Sequence, residues 1–260
     1  MKILKKAYTY LIFIFLYAPI VVLVVYSFNS TKSRVHWTGF SLKWYAELFR
    51  DSEILSALWV TLILGVASAV IATVIGTAAA IGIHNMKKLP KSILMNMTYI
   101  PVLNPDIVTG VSLMLLFIFI KVQMGFFSLL MAHITFNIPF VILSVLPKLR
   151  QFNRNLYEAA IDLGARPVTA FRKIMLPEIM PGVITGMLLA FTLSIDDFVI
   201  SFFTAGGSGV SNLAIVIYSY AKLGISPKIN ALSTLMFVTV LILLVFVNRR
   251  KKKELIEGRN

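Results

Sequence analysis

Three carboxylates lie within long apolar stretches of this chain: Asp106, Asp196 and Asp197. A charge at the middle of a membrane costs about 2.5–3.5 kcal/mol on insertion scales. No Lys or Arg shares those stretches, so the acids call for a compensating role. An acidic pathway attracts a cation and repels an anion. Solutes with several ammonium groups suit carboxylates that have aromatic neighbours. Asp106 follows Asn104-Pro105, a helix-start pattern, so it can also serve the helix dipole. Asp196 and Asp197 point about 100° apart on a helix. One can therefore face a pathway while the other turns to a partner, and Asp197 is the preferred pathway residue. Ser194 and Ser201 flank the pair and can bond a solute or a backbone carbonyl. Trp44, Tyr45 and Tyr218 can contact a solute or an external protein, or anchor at the headgroup level.

Other chemistries are missing from the sequence. There are no cysteines, which excludes disulfides and thiolate catalysis. His36, His84 and His133 are scattered without metal-ligand spacing, and His133 reads as a hydrogen-bonded packing residue. No G-x-x-x-x-G-K-[ST] loop is present. Gly206-Gly207-Ser208-Gly209 lacks the lysine that would hold a nucleotide's phosphates. No Ser-His-Asp or metalloprotease pattern occurs. The chain is expected to carry no cofactor of its own, and any energy-yielding chemistry must come from a partner.

The elements that position these residues are apolar helices. The chain has 260 residues, 58% hydrophobic and 14% charged, with a net charge of +14. A soluble domain is about 45–50% apolar and about 25% charged, so a soluble enzyme and a disordered tail are both excluded. The expectation is an all-α, polytopic membrane protein with one transmembrane domain over residues 1–260. Six spans are predicted, at 7–28, 56–83, 94–120, 126–147, 181–203 and 229–248. The third is broken by Pro101 and Pro105, which is tolerated where the freed backbone faces protein or water. Lys2, Lys5 and Lys6 precede a charge-free stretch from Ala7 to Thr31. That stretch is too long for a signal h-region and reads as a retained first span.

The basic residues are distributed as topology signals and not as a nucleic-acid-binding face. Segments 1–6, 84–92, 148–180 and 249–260 hold 18 of the 25 Lys and Arg, and segments 29–55, 121–125 and 204–228 hold 7. The positive-inside rule then puts both termini in the cytoplasm. The run Arg249 to Lys253 reads as a stop-transfer anchor that also meets anionic lipid. Trp37 and Trp44 lie in an external loop, as an amphipathic surface segment or as a docking surface.

The internal loop 148–180 carries the strongest pattern. Leu156, Ala159, Ala160 and Leu163 form an apolar stripe at helical spacing. Asn153 or Asn155 can cap the start of this helix, and Gly164 can end it in a left-handed conformation. Pro167 can open a second helix, continued by Val168, Phe171 and Met175 and stopped by Pro177. Two short helices around a glycine suggest a helix-turn-helix. Tethering at both ends and the lack of a third helix argue against DNA. The apolar face either packs on the chain's own spans or docks a cytoplasmic protein.

Glu158-Ala159-Ala160, Gly164, Ile174 and Leu176-Pro177 fit the string EAA-x3-G-x9-I-x-L-P at every fixed position. This resembles the EAA loop of type I ABC importer permeases. The resemblance extends along the chain toward the polyamine permeases of that family. It includes Ser27-Phe28-Asn29-Ser30, Trp44-Tyr45, Pro105-Asp106-Ile107-Val108 and His133-Ile134-Thr135-Phe136. Phe191-Thr192-Leu193-Ser194, Asp196-Asp197 and Val216-Ile217-Tyr218-Ser219 continue it. The termini and the 206–212 loop depart from the pattern, which leaves the substrate less secure than the family.

The resemblance implies the type I permease fold and a coupling helix formed by the EAA loop. Its partners would be a homologous permease subunit, a cytoplasmic ATPase dimer that holds ATP and Mg, and an external polyamine-binding protein. The location would be the bacterial inner membrane. The substrate pathway read from the residues themselves is placed at Asp106, Asp196, Asp197, Trp44, Ser194 and Tyr218. The coupling contact would involve Glu158, Ala159, Ala160, Gly164, Ile174, Leu176 and Pro177. Other readings stay open: a permease for ferric iron or an opine-like solute, a proton-coupled carrier, or a structural subunit without a pathway.

Overall fold

Apolar runs in this chain are long enough, and polar side chains inside them sparse enough, that the backbone must satisfy itself within helices. The computed structural model describes residues 2–33, 36–207, 209–223, 227–239 and 241. The helices are α1 (Lys2–Ser27), α2 (Lys43–Leu48), α3 (Ser52–Asn85), α4 (Lys88–Leu103), α5 (Asp106–Phe119) and α6 (Phe126–Gln151). There follow α7 (Arg154–Asp162), α8 (Pro167–Ala170), a π turn (Phe171–Met175), α9 (Leu176–Asp196), α10 (Val199–Thr204) and α11 (Leu213–Leu223). Residues 227–239 are helical and are named α12. Among the described residues no β-strand occurs, and an isolated bridge joins Asn29 and Phe40.

Four helical stretches are long and apolar enough to cross a membrane: Lys6–Ser27, Ser52–Asn85, Phe126–Gln151 and Pro167–Asp196. The pair α4 and α5 passes the same test together but is bent by 106°. The predicted third span is therefore sharply bent, and the break lies at Asn104–Pro105, because Pro101 stays inside α4. Asn104, held extended ahead of a proline, ends the helix. The predicted fifth span, 181–203, is shifted. The long helical stretch starts at Pro167 and ends at Asp196, and α10 is separate. Of the predicted sixth span at 229–248, residues 242–248 lie outside the described residues, as do residue 240 and the basic tail.

Pro177 does not stop the second helix of the 148–180 loop. Its ring removes one backbone donor, and the turn before it loosens to π spacing, with the Leu176 N–H bonded to the Phe171 carbonyl. A π turn inserts the extra residue without ending the helix.

The chain falls into two compact units, Met1–Leu55 with Ile217–Asn260, and Ser56–Val216. In the first, α1 exposes apolar side chains along most of its length, as a span facing lipid or a partner would. Asn29 is fully buried and clamps the following loop. Its amide donates to the carbonyls of Ser33 (3.1 Å) and His36 (2.9 Å). Its carbonyl oxygen accepts from the Thr38 N–H (2.9 Å) and hydroxyl (2.8 Å). Asp51 caps the start of α3 and pairs with Lys228 at 2.7 Å.

The second unit packs α3, α6 and α9 around Ala69, Ala72, Val141, Val145, Ile179 and Ala190. Small residues set this approach. A Cβ added at Gly76 would lie 2.8 Å from Val141, and one at Gly182 would lie 2.9 Å from the Ser144 carbonyl oxygen. Interlocking of this kind replaces the hydrophobic drive that lipid does not supply. A neighbouring cluster of Phe117, Ala132, Phe136 and Ile200 joins α5, α6 and α10.

Candidate functional site

At the end of α9 the backbone turns extended at Asp197 (ψ 120°). The Asp197 carboxylate then bends forward to cap α10. It accepts from the N–H groups of Ile200 (3.1 Å) and Ser201 (2.7 Å) and from the Ser201 hydroxyl (2.9 Å). Its Oδ2 lies 3.5 Å from Nε2 of the fully buried His133 on α6. Asn212 donates to Ser201 Oγ (2.7 Å) and to the Asp197 carbonyl (3.3 Å). One turn earlier, Ser194 accepts from Asn137 of α6 (2.7 Å) and meets Ser68 of α3 (2.9 Å). These two polar layers bind the α9–α10 corner to α6 and α3.

The network separates the adjacent aspartates. The Asp197 side chain is 7% exposed, whereas Asp196 is exposed. The Asp197 carboxylate, preferred in the sequence as the pathway acid, is drawn inward because it caps α10. Ser194 is likewise fully buried. Asp106 sits in the first turn of α5 and is exposed. Gly110 brings α5 close to α10: a Cβ added there would lie 3.1 Å from Phe203.

Trp44 and Tyr218 belong to the other unit. Trp44 is 3% exposed and its indole donates to the Asn29 carbonyl at 2.6 Å, so it packs the loop and presents no surface. Tyr218 is half-exposed. The sequence reading missed Ser68, Asn137 and Asn212 altogether and gave His133 only a packing role. A usable signal existed for two of them, since His133 and Asn137 stand four residues apart on one face of an apolar helix.

The EAA segment folds with well-formed ends. The Asn153 side chain accepts from the Asn155 N–H at 3.1 Å, which makes Asn153 the N-cap. Gly164 adopts φ +85°. The Gly164 N–H bonds the Ile161 carbonyl (2.9 Å) and the Ala165 N–H bonds the Ala160 carbonyl (3.0 Å), a Schellman close. Glu158 and Ala159 are exposed, and Glu158 pairs with Arg154 at 2.8 Å. Leu156, Leu163 and Val168 are 55%, 89% and 76% exposed, so an apolar surface stands without cover in this chain. Ile174 and Leu176 are half-buried on the π turn and the start of α9. Pro177 is exposed. A cleft of about 570 Å³ opens behind α7, lined by Ile81, His84, Tyr157, Glu158 and Phe171.

Residues 72–249 match the family model described as the binding-protein-dependent transport system inner membrane component. The chain belongs to this family. This permease is 41% identical to the spermidine/putrescine transport system permease protein PotC of Escherichia coli K12, over 94% of its own length and 92% of the relative's. It is 40% identical to the putrescine transport system permease protein PotI of the same organism, over 88% and 83%. Among solved structures, the permease resembles a bacterial ABC transporter involved in import of the acidic polysaccharide alginate. The TM-score is 0.76 at 12% identity, covering 95% of both chains. The MetNI methionine ABC transporter gives a TM-score of 0.59 at 21% identity, covering 81% of this chain and 97% of that one. At those identities the likeness establishes the fold alone.

Proposed function

We propose that this chain is a membrane subunit of an ATP-driven polyamine importer of the spermidine/putrescine class. The observation that carries the reading is the 41% identity to a spermidine/putrescine permease over nearly the whole chain. Exposed carboxylates at Asp106 and Asp196 support a cationic solute, because each can exchange a hydration shell for an ammonium group. Tyr218 can add an aromatic face.

In this reading the chain pairs with a homologous, PotB-like permease subunit and the pathway runs between them. A PotA-like ATPase dimer binds ATP and Mg, and α7 inserts its exposed Leu156 and Leu163 into that ATPase. Glu158, Ala159, Ala160 and Gly164 form the contact, and Ile174, Leu176 and Pro177 carry its motion into α9. A PotD-like external protein delivers the polyamine. Both termini face the cytoplasm, and the chain works as one transport domain. ATP binding drives transport only to the extent that it favours one arrangement of the spans over the other.

The test is ATP hydrolysis by the assembled complex in lipid, with the external binding protein and a panel of solutes. Stimulation by spermidine or putrescine is expected. Stimulation by ferric iron or an opine-like compound alone would move the chain to another solute class. Transport that follows a proton gradient without ATP would remove the importer reading.

A further inference from the structure

His133 is a titratable group, wholly buried in an apolar helix, that the transport reading does not use. Its Nδ1 lies 2.8 Å from the Leu129 carbonyl oxygen, a contact that requires a proton on Nδ1. Its Nε2 faces two oxygens, Asp197 Oδ2 at 3.5 Å and Ser201 Oγ at 3.4 Å. The Ser201 hydroxyl can donate to Asp197 Oδ2 at 2.9 Å, to the Asp197 carbonyl at 3.1 Å or to Nε2 itself, and its oxygen accepts from Asn212. The carboxylate in front of Nε2 presents lone pairs only. A neutral ring would aim a lone pair at that carboxylate in a space closed to water. A second proton on the ring turns the same contacts into attraction.

We infer that His133 and Asp197 form a buried imidazolium–carboxylate pair that fixes the α9–α10 corner to α6. The pair explains how a carboxylate with no Lys or Arg nearby in sequence is held inside: a buried charge needs a partner and further hydrogen bonds, and Asp197 has both. Asp197 is then a positioning residue. By capping α10 it also sets the backbone that leaves Asp196 exposed, and Asp196 carries the pathway charge. That last assignment rests on the importer reading, whereas the pair itself does not.

The experiment uses the complete complex, purified with its partner subunits, carrying D197N, H133Q, the double change D197N/H133Q, or D196N. Asn caps a helix about as well as Asp, so D197N removes the charge and keeps one of the two capping acceptors. Each single change at the pair leaves one buried group without its partner and should lower the Tm of the complex by about 5 °C or more. The double change should recover most of that loss and restore polyamine-stimulated ATP hydrolysis at an unchanged half-maximal polyamine concentration. D196N should leave Tm unaltered and raise that concentration about 10-fold or more. If the single variants cannot be purified, recovery of yield in the double variant decides the same point. A double variant whose losses simply add would overturn the pair. So would a D197N complex of normal Tm with a raised polyamine requirement, which would make Asp197 a pathway ligand. A D196N complex with normal solute dependence would overturn the division of roles. If the unaltered complex responds to no polyamine, the solute reading fails while the Tm comparison still decides the pair.

Discussion

Neighbours decide what a polar side chain in an apolar helix can do. Asp196 and Asp197 are chemically identical and adjacent, so residue type alone gives the sequence preference for Asp197 no footing. The ranking comes from a break in the helix that Asp197 itself caps, using donors from residues 200 and 201. Trp44 shows the same limit: its spacing suits a surface anchor, yet its indole is spent on the Asn29 carbonyl. Trp44→Phe should therefore cost about 1 kcal/mol of stability, the value of one hydrogen bond. It should leave the polyamine dependence of ATP hydrolysis unchanged; a shifted dependence would return Trp44 to the pathway. Asn29→Ala removes four side-chain hydrogen bonds from the loop it clamps. Limited proteolysis should then cut between residues 30 and 42 much faster than in the unaltered chain.

Helix ends were legible where a local signal writes them, and illegible where packing does. The Asn153 cap and the left-handed Gly164 follow from residue type and appear as expected. The effect of Pro177 does not, because a π turn absorbs it. Gly164→Asp places a branched side chain at φ +85°, at a cost of about 1 kcal/mol, and puts a new charge beside the exposed Leu163. The complex should still assemble in the membrane, with ATP hydrolysis no longer stimulated by loaded binding protein. Normal transport by this variant would remove α7 from coupling.

The start of α3 is tied to the start of α12 by Asp51 and Lys228. The hydrogen bond from Lys228 holds the Asp51 carboxyl below its ordinary value of 3.8. The same bond raises the Lys228 ammonium above 10.5. Asp51 thus contributes stability that is present above about pH 3.8 and lost as pH falls through its lowered value. Lys228 contributes stability that is present below pH 10.5 and lost as pH rises through its raised value. Lys228→Met should cost about 1–2 kcal/mol at pH 7, between an exposed and a fully buried pair. Thermal melts at pH 3 and pH 7 should show that penalty shrinking in acid.

For the molecule as a whole, composition and hydropathy specify an all-helical membrane chain because lipid leaves the backbone few alternatives. The bend of 106° between α4 and α5 was beyond that logic: prolines mark where a helix can break, and tertiary packing sets how far it turns. Orientation depends on a different quantity, the asymmetry of Lys and Arg across the loops, 18 against 7. Because the chain has no cysteine, single cysteines can report on sidedness without background. Lys32 and Asn155 are exposed positions in loops assigned to opposite sides. In intact cells a membrane-impermeant maleimide should label a Lys32→Cys chain and leave an Asn155→Cys chain unlabelled until the membrane is opened. The reverse pattern would put α7 outside, where no ATPase could reach it, and would overturn the coupling role of residues 154–177 together with the orientation.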